Sequence, residues 1–177
     1  MNETIRSKLI NGNRRYVQNS DAERRMEAAE HGQHPDAIIV CCSDARVIPE
    51  HIFSAALGEL FVIRVAGNVL DRHQLGSIEY ASMHLHCGHI IVLGHTGCGA
   101  VAAALSGDAD GFIRYITDDI LDAIGAERDP DKACRLNVQH AVERLKREFR
   151  EHPEVGGAVI EGAVYDIRSG EVRWLDI

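Results

Sequence analysis

The apolar run AIIVC at 37–41, which leads directly into CSDAR at 42–46, decides the fold of this chain. A second stretch repeats the arrangement, because IIVLG at 90–94 leads directly into HTGCG at 95–99. Short apolar runs bounded by turn residues are typical of strands that are buried on both faces of a parallel sheet. Ligands of open parallel sheets bind at the carboxyl ends of the strands. We therefore expect the two polar stretches to meet at one edge of one sheet.

The two polar stretches contain four candidate metal ligands, which are Cys42, Asp44, His95 and Cys98. Zinc accepts this mixture of sulfur, oxygen and nitrogen in tetrahedral geometry, so the sequence predicts a zinc site. The His95-x-x-Cys98 motif alone is weak evidence, because such pairs also occur incidentally. Its position after a strand strengthens the prediction, and Cys98 also begins a predicted helix, where unpaired N–H groups favour a thiolate.

Asp44 and Arg46 lie two residues apart, so their side chains can form a bidentate ion pair that fixes the orientation of the carboxylate. The alternative is a solvated surface ion pair, which would contribute little. A phosphatase loop of the Cys-x5-Arg type is excluded, because only three residues separate Cys42 from Arg46.

The rest of the chain alternates between strands and helices, which predicts a parallel sheet with right-handed crossovers. Strands are predicted at 37–41, 60–65 and 89–93, and helices at 49–56, at 74–87 with Gly88 as its cap, and at 98–105. Helices at 3–18 and 22–30 precede them; helices at 112–124 and 131–149 and a hairpin of strands at 158–165 and 171–175 follow. We predict an α/β fold with a central, mostly parallel β-sheet (three parallel strands plus a C-terminal hairpin strand) flanked by helices.

This organisation predicts one domain over residues 1–177, with a helical arm at 1–34, a metal-site core at 35–107, and helices and the terminal hairpin at 108–177. The arm is highly charged and has too few apolar residues for a core of its own. We expect it to pack along the domain or along a partner subunit.

Charge and hydropathy exclude several classes of partner. The chain has 19 Lys and Arg residues against 27 Asp and Glu residues, a net charge of −8, whereas nucleic acids and anionic membranes require a basic face. No apolar run approaches the roughly 20 residues of a membrane span. The first fifteen residues lack the apolar segment of a signal peptide. These features predict a cytoplasmic protein that binds neither nucleic acid nor membrane.

The chain has five cysteines, and this odd number argues against a disulfide framework. Two of them belong to the predicted metal site. The other three, Cys41, Cys87 and Cys134, are predicted to be small buried apolar residues.

Taken together, CSDARV at 42–47 and GHTGCG at 94–99 resemble the paired motifs of the β-class carbonic anhydrases. The resemblance extends through QHP at 33–35, GELFVIR at 58–64, SIEYA at 77–81 and GAVYD at 162–166, and more loosely to NGNRRY at 11–16. It implies that Cys42, His95 and Cys98 bind Zn²⁺ and that Asp44 and Arg46 form a catalytic dyad.

The resemblance also implies a substrate pocket lined by Gln33, Phe61, Tyr80 and the backbone of Gly99, partly contributed across a dimer interface. Judged by residue type alone, Phe61 and Tyr80 fit core packing better, and Gln33 fits a solvated loop better, so only the resemblance assigns them to the pocket. The expected reaction is the reversible hydration of carbon dioxide to bicarbonate and a proton, by attack of zinc-bound hydroxide. The expected assembly is a homodimer or a homotetramer.

Three alternatives remain open at this point. Asp44 either takes the fourth zinc position and closes the site, or is drawn away by Arg46 so that water can bind. The substrate is either carbon dioxide or its sulfur analogues, carbonyl sulfide and carbon disulfide. A non-catalytic protein that binds zinc or bicarbonate is the third alternative, although a purely structural zinc site would need neither Arg46 nor Gln33.

Overall fold

Five strands form one sheet in the computed structural model of the chain, which describes residues 4–152, 155 and 157–177. They are β1 (Ala37–Cys41), β2 (Leu60–Arg64), β3 (His89–His95), β4 (Val159–Tyr165) and β5 (Val172–Trp174). Their order is β2-β1-β3-β4-β5; β5 is antiparallel to β4, and all the other neighbours are parallel. The predicted α/β fold with a mostly parallel sheet is confirmed. β4 is itself parallel to β3, so the parallel part contains four strands rather than three.

The described ranges also contain seven α-helices. They are α1 (Ile5–Asn19), α2 (Ala22–His31), α3 (Pro49–Ile52), α4 (Arg72–His84), α5 (Gly99–Ser106), α6 (Ile113–Ile124) and α7 (Pro130–Glu148). Side-chain caps fix several of the starts: Asp21 accepts a hydrogen bond from the Arg24 N–H, and Asp129 accepts one from the Lys132 N–H. Cys98 is the N-cap residue of α5, as its position in the sequence predicts.

Two helices differ from the prediction. α4 begins at Arg72, because Asp71 and Gln74 form a reciprocal capping box, and it ends at His84. Gly88 is therefore not its cap; the chain turns instead at His86, which has a positive φ of 56°. α3 ends at Ile52, four residues earlier than predicted. The predicted first helix began at Glu3, which lies outside the described residues.

The apolar core lies on both faces of the sheet. On one face, α4 and α7 cover Ile38, Val40, Ile90 and Val92, which are all fully buried. The apolar residues of α7 between 138 and 145 are also buried there, and the Cβ that an alanine would have at Gly94 would lie 2.5 Å from Cγ2 of Val138. α7 therefore packs directly against the backbone of β3.

The chain divides into two compact units, residues 1–33 and residues 34–177. In the first unit, α1 and α2 bury no residue. The second unit contains the sheet and every strand described above. Within the described residues, no helix is long and apolar enough to cross a membrane.

Candidate metal centre

Three predicted ligands, Cys42, His95 and Cys98, converge at the carboxyl edge of the sheet. Cys42 follows β1, His95 ends β3, and Cys98 caps α5, so three separate elements position them. Their ligand atoms all lie within 4.8 Å of one another, and the two sulfur atoms are 4.0 Å apart. All three residues are buried. This is the close grouping of soft and borderline donors that a thiolate-binding metal requires.

His95 presents one nitrogen to this group. Its Nδ1 donates a hydrogen bond to the Thr96 carbonyl at 3.0 Å, which leaves Nε2 as the available ligand atom. Within the part of the chain that the structure describes, Nε2 is buried without a hydrogen-bond partner. A buried polar atom of this kind is costly unless something pairs with it, so the residues present fit a metal ion.

The position of Thr96 is itself fixed by the end of β4. The Thr96 N–H donates to the Tyr165 carbonyl at 2.9 Å, and its hydroxyl accepts from the Ile167 N–H at 3.2 Å. The carbonyl that orients His95 is therefore held by a neighbouring strand rather than by a flexible loop.

The Cys42 sulfur is stabilised as a thiolate. A hydrogen bond from the Cys98 thiol, together with contacts from His95 and two backbone N–H groups, outweighs burial and lowers the pKa of Cys42 to about 4. The hydrogen bond between the two sulfur atoms also raises the pKa of Cys98, because Cys98 keeps its proton in order to donate it to the Cys42 thiolate. The two N–H groups belong to Asp44, at 3.4 Å from the sulfur, and Gly67, at 3.3 Å. A bound metal would displace the remaining proton, since a coordinating thiol is deprotonated.

Asp44 and Arg46 form the bidentate ion pair that their spacing predicts. The Arg46 Nε donates to Oδ1 at 2.9 Å and its Nη2 donates to Oδ2 at 2.7 Å, while the Arg46 backbone N–H also donates to Oδ1 at 2.9 Å. These donors hold the pKa of Asp44 far below its usual range. Oδ2 lies 3.9 Å from Nε2 of His95, so the carboxylate borders the group of three ligands while it is bound to Arg46.

The dyad lies between the buried ligands and solvent. The Asp44 side chain is 17% exposed and that of Arg46 is 56% exposed. Arg46 also donates to the Gly97 carbonyl at 3.2 Å. Arg46 and Gly97 line a cleft of about 530 Å³ that reaches Asp131 and Arg168. Small molecules can therefore approach the dyad from water.

Two further predicted site residues, Phe61 and Tyr80, lie on β2 and α4. Phe61 pairs in register with Ile38, near the opposite end of β1 from Cys42, and its ring lies 6.4 Å from that of Tyr80. Tyr80 is 47% exposed, Gly99 is the exposed first residue of α5, and Gln33 is an exposed residue of the N-terminal unit. The roles of these four residues in a substrate pocket remain predictions.

The remaining cysteines have the structural role that the sequence predicts. Cys41, Cys87 and Cys134 are free thiols and are all buried. Burial raises the pKa of Cys41 to about 12 and raises that of Cys134. Neither thiol is therefore ionised near neutral pH, in contrast to Cys42.

Comparison with known proteins gives one consistent family. The profile described as carbonic anhydrase matches residues 37–172. The carbonic anhydrase of Mycolicibacterium smegmatis is 34% identical over 183 aligned residues, which cover 93% of this chain and 89% of that protein. The solved structure of the beta-carbonic anhydrase CcaA has a TM-score of 0.82 at 28% identity, covering 98% of this chain and 96% of that one.

Tetrameric beta-carbonic anhydrases from the filamentous ascomycete Sordaria macrospora have a TM-score of 0.66 at 26% identity, covering 98% of this chain and 95% of that one. The family profile thus covers most of the chain, and a relative above 30% identity covers nearly all of it. The chain belongs to the carbonic anhydrase family, in its beta class.

Proposed function

We propose that this chain catalyses the reversible hydration of carbon dioxide to bicarbonate and a proton at a zinc ion held by Cys42, His95 and Cys98. The observation that carries the proposal is the position of Asp44. Its carboxylate borders the three converging ligands and is held by Arg46, so one coordination position is left for a reactant. Catalytic zinc sites have three protein ligands and one open position, whereas structural sites have four protein ligands.

The donor set supports zinc as the metal. Two sulfur atoms and one imidazole nitrogen suit a borderline-soft ion, and hard ions such as Mg²⁺ prefer oxygen. When bound, the ion would act as a Lewis acid that makes water a nucleophile near neutral pH. Two thiolates neutralise the charge of a divalent ion more than imidazoles do, so we expect activity to increase toward alkaline pH.

Asp44 and Arg46 are proposed to orient the nucleophile. Because Arg46 keeps the Asp44 carboxylate ionised, that carboxylate can only accept hydrogen bonds. A nucleophile in the open position would therefore donate its hydrogen to Asp44, and its lone pair would be directed away from the carboxylate toward carbon dioxide. Phe61, Tyr80, Gln33 and the Gly99 backbone are proposed to line the pocket that holds this substrate.

The assembly is proposed to be a homodimer or a homotetramer. Structural neighbours include tetrameric enzymes, and the described residues of α1 and α2 leave Ile5, Leu9 and Tyr16 exposed. Phe61 lies away from Cys42 along the sheet and Tyr80 of α4 neighbours it, which suits a pocket that two copies complete. A cytoplasmic location is also proposed, since five free thiols suit a reducing compartment.

Stopped-flow hydration of carbon dioxide by protein of measured zinc content tests this proposal. We expect rapid hydration, fastest at alkaline pH, in the wild type. Cys98→Ala should lose both zinc and hydration, whereas Cys87→Ala, which removes a buried thiol outside the ligand group, should keep both.

Full zinc occupancy without hydration at either neutral or alkaline pH would refute the proposed reaction. Hydrolysis of carbonyl sulfide or carbon disulfide by the same sample would then identify the sulfur analogues as substrates. Retention of zinc by Cys98→Ala would refute the proposed ligand set.

A further inference from the structure

Asn137 is a polar side chain in the buried stripe of α7. The other buried members of that stripe are Ala133, Cys134, Val138, Ala141, Val142 and Leu145, and Asn137 is only 4% exposed among them. A buried amide is costly unless it makes hydrogen bonds, so its partner indicates why it is there. That partner is the Gly67 carbonyl, which accepts a hydrogen bond from Nδ2 at 2.7 Å.

Gly67 lies in the turn after β2 and has little freedom to move. Its φ is 69°, which favours glycine. A Cβ at this position would lie 2.8 Å from Cδ1 of Ile120 and 3.0 Å from Cβ of Ala100. The turn is therefore packed against α5 and α6 and is tied to α7 by Asn137.

The Gly67 N–H donates to the sulfur of Cys42 at 3.3 Å. A hydrogen bond to a metal-binding sulfur withdraws electron density from it, which tunes the electrophilicity of the metal. The second N–H on this sulfur comes from Asp44, within the loop of the ligand itself. The hydrogen bond from the Gly67 N–H is different, because it depends on a turn that α7, a helix far away in the sequence, holds in place.

We propose that Asn137 is a positioning residue of the metal centre: it holds Gly67 so that its N–H remains bound to the Cys42 sulfur. The result is a less electron-donating thiolate and a more electrophilic metal. Asn137 does not touch the ligand group and is not a catalytic residue. This inference rests on the proposed function only in requiring that Cys42 binds the metal.

Cobalt(II)-substituted protein tests the proposal, because the energy of the sulfur-to-cobalt charge-transfer absorption reports on electron density at the sulfur. Asn137→Leu removes the donor with little change in volume. We expect the charge-transfer band to move to lower energy, because the Cys42 sulfur would carry more electron density without the Gly67 hydrogen bond.

Thr117→Val is the matched control. Thr117 is also buried, at 2% exposure, and lies on α6, but its hydroxyl bonds only to the Ile113 and Arg114 carbonyls of its own helix. This variant should leave the band unchanged. If Asn137→Leu does not fold, Asn137→Met offers a more adaptable apolar side chain for the same comparison. Gly67→Ala, which leaves Asn137 intact, should shift the band in the same direction.

The cobalt spectra of the Asn137→Leu and Thr117→Val variants distinguish the possible outcomes. A shift in Asn137→Leu but not in Thr117→Val supports the proposal. An unshifted band in Asn137→Leu, or an equal shift in both variants, overturns it while leaving cobalt ligation by Cys42 and the proposed function intact. Absence of the charge-transfer band from the wild type overturns both, because Cys42 would then not be a ligand.

Discussion

At the scale of single residues, the Asp44–Arg46 pair is the contact on which the proposed chemistry depends most. Three N–H groups of Arg46 bind one carboxylate, two from the guanidinium and one from the backbone. Such a carboxylate is fixed in orientation and cannot readily take a proton. In the proposed reaction it would therefore accept a hydrogen bond from the reactant rather than exchange protons with it.

We predict that Asp44→Ala lowers the rate of carbon dioxide hydration by at least about 100-fold, the lower end of what one preorganised hydrogen-bonding group contributes. Zinc content should remain near one per chain, because Cys42, His95 and Cys98 are untouched. Stopped-flow kinetics measures the hydration rate, and metal analysis of the same sample measures the zinc content. Asp131→Ala is the control, since Asp131 lines the adjacent cleft without belonging to the dyad. Wild-type hydration by Asp44→Ala would eliminate the proposed role.

A second prediction concerns Thr96, whose hydroxyl accepts from the Ile167 N–H and whose carbonyl orients His95. Thr96→Val keeps the shape but loses the acceptor, so the imidazole should be held less well. We expect zinc to bind about 10-fold more weakly, as measured by competition with a chelator. Thr96→Ser keeps the hydroxyl and should bind zinc like the wild type. Equal zinc affinities of the valine and serine variants would show that the Thr96 hydroxyl does not contribute to metal binding.

The grouping of Cys42, His95 and Cys98 could be predicted from the sequence, because cysteine and histidine are chemically distinctive and both stretches that contain them follow short apolar runs. The backbone groups that contact these three residues could not be predicted. The Gly67 N–H and the Thr96 carbonyl act through atoms that every residue has, so no sequence pattern distinguishes them. The role of Asn137 could not be predicted from the sequence either, since a single polar residue among the apolar residues of a helix has many explanations.

At the scale of elements, the buried strands were predictable because their apolar runs are short and bounded by turns. β1 was predicted with its observed ends. The direction of β4 was not predicted, because the hairpin pattern shows that β4 and β5 pair but not how β4 meets β3. The end of α4 was misplaced because His86 adopts a positive φ that is usually found at glycine.

The contact between α7 and β3 gives a prediction about stability. In Gly94→Ala, the new Cβ would lie 2.5 Å from Cγ2 of Val138, which is fully buried. We expect the free energy of unfolding to fall by about 1–3 kcal/mol, the usual cost of overpacking. Chemical denaturation measures the change. Gly88→Ala is the control, because nothing lies within 4 Å of its Cβ position.

A third variant makes this prediction more specific. Val138→Ala removes the clashing methyl group, so the double variant Gly94→Ala/Val138→Ala should lose less stability than the sum of the two single changes. Simple additivity would show that the cost of Gly94→Ala arises elsewhere.

The β4–β5 turn gives a prediction about pH. The Ser169 and Arg168 N–H groups bind Oδ1 of Asp166 and lower the pKa of Asp166. A group whose pKa is lowered by folding stabilises the protein above its unfolded pKa, about 3.9 for aspartate, and this stabilisation is lost as the pH falls further.

Asp166→Ala should therefore be less stable than the wild type at pH 7, and the difference should shrink as the pH falls below about 4. Denaturation curves at a series of pH values measure it. Asp166→Asn keeps an oxygen for both N–H groups, so it should be closer to the wild type at neutral pH. A difference for Asp166→Ala that does not depend on pH would contradict the assigned cause.

At the scale of the whole molecule, α1 leaves several large apolar side chains exposed to solvent. Ile5, Leu9 and Tyr16 recur at helical spacing along α1 and are 75%, 69% and 49% exposed. An apolar stripe on a charged helix is typical of a surface that another chain covers. A second copy of this chain is the simplest partner, in keeping with the tetrameric neighbours.

Leu9→Glu tests that assembly, because burying a leucine contributes about 1.5–3 kcal/mol and a symmetric dimer would lose two such contacts. We expect the dissociation constant of the assembly to rise by at least about 10-fold, as measured by analytical ultracentrifugation. Ser7→Glu adds the same charge to a polar position of α1 and should leave the assembly intact. A monomeric wild type would rule out the proposed oligomer. An oligomer that Leu9→Glu leaves unchanged would show instead that the interface lies elsewhere, because a charge cannot be buried in an apolar contact without cost.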